Sequence, residues 1–175
     1  MTAGPAHPYF LAGPWPEVTY LDAEEFPTVV NVAHDHPMAE MAPLFDETFG
    51  ALFPALGTQG LRPIGPPFSL HHRMPTETVD FEVGIPVDRP LGEAQATTSG
   101  VTLTPSVLPA GRIAVVSHLG SYDGLGEAWG RFMNEIATAG HQPDFPFWEV
   151  YVTEPTPDVD PATLRTDLVV RLREH

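Results

Sequence analysis

The chain has 175 residues, 42% of them hydrophobic, with 23 Asp+Glu against 8 Lys+Arg and a formal charge of -15. A chain of that size fits one domain that buries roughly 70% of its unfolded surface, and an acidic surface whose few bases are scattered argues against direct nucleic-acid binding. The absence of cysteine excludes disulfides, thiol catalysis and cysteine-ligated metals; no stretch approaches the ~20 apolar residues of a membrane span, and no basic leader opens the chain, so a cytoplasmic, non-membrane protein is expected.

Residues 1–16 carry four prolines and three aromatics without a period, which predicts an extended arm, either strapped over the core or serving as a lid. EVTYL and PTVVNVAH then alternate valines with polar residues between prolines and predict two strands, paired as a first hairpin. Met38, Met41, Phe45, Phe49, Leu52 and Leu56 recur at spacings of three and four, the stripe of an amphipathic helix. Pro43 and Pro54 predict a start near Met41 or a kink, and Gly57 and Gly60 a stop. FSLHHRM and TVDFEVGIPV follow as strands; Val79, Phe81, Val83, Ile85 and Val87 alternate strictly. Residues 88–100 are poor in apolar side chains and predict a surface connection between two halves.

The same order then returns. VTLTPSVL and GRIAVVSH predict strands, and Leu125, Trp129, Phe132, Met133 and Ile136 form a helical stripe, with Ser121 as its N-cap and Gly140 past its end. FWEVYVTE and TDLVVRL close the set. VVNVAH aligns with IAVVSH, and GLRPIGPPFSLH with GHQPDFPFWEVY, so the chain is read as an internal repeat. The expected fold class is α+β: duplicated strand-strand-helix-strand-strand units over residues 17–87 and 101–173, within one domain spanning 17–175. Two main helices would cover a pseudo-twofold antiparallel sheet, leaving a central ligand cleft.

The run HLGSYDGLGEAWGRF, His118 to Phe132, followed by FPFWEVYVTEP, resembles the GyrI-like small-molecule-binding family, also seen as the effector-binding half of AraC-type and multidrug-responsive regulators. Gly120, Tyr122 and Glu149 carry the match; Ser121 and Ser117 stand where the family often has proline and tyrosine. The resemblance implies a pseudo-symmetric domain with a hydrophobic cleft, a stand-alone member, and a glutamate, Glu149, at the base of the pocket to pair with a cationic ligand. It also implies a split in function, since some members sense drugs and some hydrolyse cyclopropane-bearing toxins.

Alternation along FWEVYVTE puts Trp148, Val150 and Val152 on one face, toward a core, and Phe147, Glu149 and Tyr151 on the other. The repeat alignment equates Ser69 with Glu149 and His71 with Tyr151, so the expected ligand-binding set is Glu149, Tyr151, Tyr122, His71, Ser69 and Phe147, with Tyr122 closing one end. Trp129 and Trp148 fit the core. An unpaired carboxylate among apolar groups has a raised pKa, which a cationic ligand would offset. In the leading reading the partner is a small hydrophobic or cationic aromatic compound. In an alternative, a hydrolase, Glu149 acts as general base and Tyr122 or Tyr151 supplies a proton. A third reading, an acidic inhibitor of a DNA-binding protein, leaves a protein partner open. No metal or cofactor is expected, because His34, His36, His71 and His72 form no motif of zinc-protein spacing and mark no convincing heme axial ligand. Oligomeric state is not legible.

Overall fold

A computed structural model of the chain describes residues 8–153 and 158–173; the first seven residues of the expected arm and the last two of the FWEVYVTEP run, Glu154 and Pro155, lie outside them. In chain order the elements are β1 (Thr19–Ala23), β2 (Phe26–Pro37), α1 (Met41–Gln59), β3 (Phe68–His71), β4 (Thr78–Pro86), β5 (Gln95–Ala96), β6 (Thr102–Leu108), β7 (Gly111–Leu119), α2 (Leu125–Thr138), β8 (Pro143–Tyr151) and β9 (Arg165–Leu172). The strands form one antiparallel sheet in the order β1-β7-β9-β8-β3-β4-β2-β6-β5. This is the expected α+β architecture, an antiparallel sheet with two main helices.

The sheet centre is the β3–β8 pair, in which Ser69 lies opposite Glu149 and His71 opposite Phe147. Ser69 and Glu149 are the positions that the internal alignment equates, so the pseudo-dyad passes beside them. On one side stand β9, β7 and β1, and on the other β4, β2 and β6.

The expected β1–β2 hairpin does not form. β1 pairs with β7, from Thr19 opposite Val115 to Ala23 opposite Gly111, while β2 is flanked by β4 and β6. The two residues between β1 and β2 are Glu24 and Glu25, neither of which favours the positive φ that a two-residue hairpin turn requires. Each half therefore lends its leading strand to the other, β1 to β7 and β6 to β2. Three residue steps from Ala23 to Phe26 span at most about 11 Å, so the sheet must curl to bring its two ends together.

The curled face encloses Val30, Phe68, Leu70, Leu108, Ile113, Val115, Trp148, Val150 and Val169, with Tyr9 and Phe10 of the arm. The Trp148 indole N–H donates to the Tyr9 hydroxyl at 3.1 Å. Ser117 N–H donates to Trp15 O at 2.7 Å, Trp15 N–H donates to Ser117 Oγ at 2.8 Å, and the Arg165 guanidinium donates to Ala12 O at 2.7 Å. The described part of the arm is thus a strap on the face away from the helices.

On the other face, Ala51, Leu52 and Leu56 of α1 cover Val29, Ile85 and Val87, and Phe45 and Phe49 reach Phe81 and Val83. Ala128, Phe132 and Ile136 of α2 cover Ala114, Phe147, Leu168 and Val170. α1 passes through Gly57 and ends at Gly60, where φ is +68° and Leu61 N donates to Leu56 O at 3.0 Å. Ser121 does not cap α2. A 3-10 turn, Tyr122–Gly124, intervenes, and the Ser121 carbonyl instead accepts from Gly124 N–H and from His118 Nε2. The 88–100 connection is not purely superficial: Leu91 is buried beneath α1, and Gln95–Ala96 adds an edge strand.

Candidate functional site

α1 lies over β2 and β4, and α2 over β7, β8 and β9, so the central strands β3 and β8 run between the two helices. Strand alternation turns Ser69 and His71 of β3, and Phe147, Glu149 and Tyr151 of β8, to the helix-bearing face. These five residues form one connected cluster. The Tyr151 hydroxyl donates to Glu149 Oε1 at 2.8 Å and lies 2.7 Å from Ser69 Oγ. Ser69 Oγ in turn lies 3.4 Å from His71 Nε2. The His71 ring is stacked between Phe147, at 5.0 Å and 2° between planes, and Phe81, at 5.3 Å and 30°.

Tyr122, at the approach to α2, meets the Tyr151 ring edge-on at 6.1 Å and is 40% exposed. The six residues expected at the site are thus linked to one another by hydrogen bonds or ring contacts.

The structure adds residues that the sequence did not single out. Trp129, assigned to the core stripe of α2, donates its indole N–H to Glu149 Oε2 at 2.7 Å and packs edge-on against Phe147 at 5.0 Å. Phe45 of α1 lies 5.7 Å from Tyr151, and exposed Phe145 lies 6.1 Å from Phe147. The one available signal for Trp129 was chemical: an indole N–H in an apolar setting seeks an acceptor, and Glu149 is the acceptor on the facing strand.

Glu149 is half-buried, and desolvation pushes its pKa above the usual carboxylate value, opposed by the hydrogen bonds from Trp129 and Tyr151 and by the His118 charge. Burial, reinforced by the Glu149 charge, raises Tyr151 well above the ordinary phenol range; Tyr122 is raised for the same two reasons. Burial, aided by His72, lowers His71 to about 4, so its ring is neutral at pH 7. The cluster thus holds one carboxylate that receives a single hydrogen bond on each oxygen, among seven aromatic rings and a neutral imidazole. Such a site accepts a cation or a hydrogen-bond donor, with ring faces to cover an apolar body.

A hollow of about 250 Å³ opens elsewhere, behind α2, lined by residues including Pro16, Val18, His118, Arg131 and Glu135. Of the side chains around Glu149 it shares only His118, and it reaches neither Glu149, Tyr151, Ser69, His71 nor Phe147. The connected polar chain and stacked rings lie over β3 and β8, between α1 and α2. Among the described residues, no three His, Asp or Glu side chains converge to hold a metal ion, and no helix is long and apolar enough to cross a membrane.

Comparison with solved structures places the fold. The EcmrR C-terminal domain superposes with a TM-score of 0.70 at 17% identity, covering 91% of this chain and 98% of that one. Against the EcmrR chain in its DNA complex, the TM-score is again 0.70 at 18% identity, but this chain spans only 58% of that chain's length. A hydrolase from Listeria innocua matches at TM-score 0.64 and 12% identity over 93% of this chain and 95% of that one. SAV2435 bound to tetraphenylphosphonium matches at 0.61 and 10% over 90% and 94%. A search of curated proteins found no match. Residues 16–173 match the GyrI-like small molecule binding domain, and since that match takes in every strand of the sheet, both helices and the cluster around Glu149, the chain belongs to the GyrI-like family.

Proposed function

We propose that this small-molecule-binding domain takes a hydrophobic, cationic aromatic compound in the groove between α1 and α2, with Glu149 as its counter-charge. The observation that carries this reading is a half-buried carboxylate ringed by Trp129, Phe147, Tyr151 and Tyr122, with no cationic side chain in hydrogen-bond contact with it among the described residues. Ring faces and a desolvated carboxylate together favour a delocalised organic cation, which loses little hydration on entering. SAV2435, of the same fold, was solved with tetraphenylphosphonium, which makes that cation the natural probe.

A second reading rests on the same carboxylate. Its raised pKa suits a general base that takes a proton from water, with the Tyr122 hydroxyl supporting an oxyanion as a strained electrophilic ring opens. Two structural neighbours from Listeria innocua are described as hydrolases.

One experiment addresses both. The protein and Glu149→Gln are incubated with tetraphenylphosphonium and, separately, with cyclopropane-bearing electrophiles, and followed by thermal shift and mass spectrometry. Stabilisation by tetraphenylphosphonium that falls in the variant, without new product in any mixture, supports the binding protein. A hydrolysed product that disappears in the variant supports the hydrolase. Tetraphenylphosphonium stabilisation equal in both proteins would remove Glu149 from the binding reading.

A further inference from the structure

We propose that His71 is a positioning residue that sets the direction of the hydrogen-bond chain through Ser69 and Tyr151 and thereby holds Glu149 as an acceptor.

The direction follows from counting protons. An ionised carboxylate only accepts, and both Glu149 oxygens do so, from Trp129 and from Tyr151. Tyr151 has one hydroxyl proton, committed to Glu149, so its 2.7 Å contact with Ser69 must be donated by Ser69. Ser69 likewise has one proton, so its contact with His71 Nε2 must be donated by the ring. A neutral imidazole has one N–H, and the chain therefore requires it on Nε2. His71 Nδ1 is left as a bare lone pair.

The surroundings of the ring fit that tautomer. His71 Nδ1 is buried and has no hydrogen-bond partner, and Phe147 and Phe81 cover the two ring faces. Reversing the chain means protonating Glu149. Its hydroxyl would donate to Tyr151, Tyr151 to Ser69 and Ser69 to Nε2, and the ring hydrogen would move to Nδ1, where it meets no acceptor. Nδ1 lacks a partner in either direction of the chain, as a lone pair in one and as an N–H in the other; a buried N–H without an acceptor is the rarer of the two in folded proteins, so the greater cost falls on the reversed chain. His71 thus favours the charged glutamate without touching it.

The groups facing Glu149 are Trp129 of α2, Tyr122 ahead of α2, Tyr151 of its own strand and the charge of His118 on β7. Those facing His71 are Phe81 of β4, Phe147 of β8, Ser69 and the neighbouring His72. The cleft is the one used in the proposed function, but the test needs no ligand, so either idea can fail alone.

The test is made on the free protein by NMR. Long-range ¹H–¹⁵N spectra at pH 7 report the His71 tautomer, and ¹³C spectra follow the Glu149 carboxyl through an acid titration. The expected result is the Nε2–H tautomer in the wild type. His71→Phe, which keeps the stacked shape, and Ser69→Ala should each move the Glu149 midpoint upward by roughly half a unit to one unit. An Nδ1–H tautomer in the folded wild type overturns the proposal, and so does a Glu149 midpoint unmoved in the variants. If neither variant folds, the wild-type tautomer alone decides.

Discussion

His71 enters the folded state neutral, because burial lowers its pKa from 6.5 to about 4. Between those values the unfolded chain binds a proton that the folded chain refuses, so acidification from about pH 6.5 to 4 favours unfolding and costs about 3 kcal/mol at most. Denaturant melts across that range should show a steep acid limb in the wild type and a flatter one in His71→Phe. Glu149 works in the opposite sense: with its folded pKa raised, its contribution is full at low pH and is lost as pH rises through that pKa. At this scale the sequence was informative where chemistry and alternation coincide. The parity of β8 put Glu149 and Tyr151 on one face, and the repeat brought Ser69 and His71 to them across the dyad. Trp129 was illegible because a helical stripe explains an indole completely, and nothing local tells that its N–H crosses to a strand 20 positions away.

β9 and the arm carry a second polar device on the opposite face. Asp167 is almost fully buried and receives the Arg165 guanidinium through two contacts, 2.9 and 2.8 Å long, and the Ser117 hydroxyl at 2.7 Å. Arg165 also binds the arm at Ala12, and Ser117 accepts from Trp15 N–H. Removing the arginine leaves a buried charge without its partner, so Arg165→Met should destabilise the protein by about 3–5 kcal/mol and expose the arm to proteolysis at concentrations that spare the wild type. Urea unfolding and limited digestion measure the two effects. In β4, a Cβ at Gly84 would come within 2.0 Å of the Val29 carbonyl, so Gly84→Ala should part β4 from β2 and lower soluble expression sharply. The sequence showed these elements through their periods but not their partners. The β1–β2 hairpin was the natural local inference, and the exchange of β1 to β7 was hidden because pairing across about 90 residues leaves no mark in either strand.

With β1 and β6 exchanged, the chain should behave as one folding unit despite its repeat. β1 belongs to the first half by sequence and to the second by hydrogen bonds, and β6 the reverse. Residues 17–87 and 101–173, prepared separately, should each lack cooperative unfolding by circular dichroism, whereas the whole chain should lose near- and far-ultraviolet signals together. A folded isolated half would show that the exchange is dispensable. The α+β class and the two helices were visible in the aligned segments; the pairing of β3 with β8 at the sheet centre and the curl of the sheet were not, since both follow from strand order.

The central claim is that Glu149 is the charge the groove offers its ligand. Calorimetric titration with tetraphenylphosphonium between pH 4 and 8 tests it most directly. Affinity should rise with pH as Glu149 ionises and then level off, while Glu149→Gln should bind roughly tenfold or more weakly at the plateau, a loss of ~1.4 kcal/mol or more, with no such rise. Equal affinities for the two proteins at every pH would contradict the account.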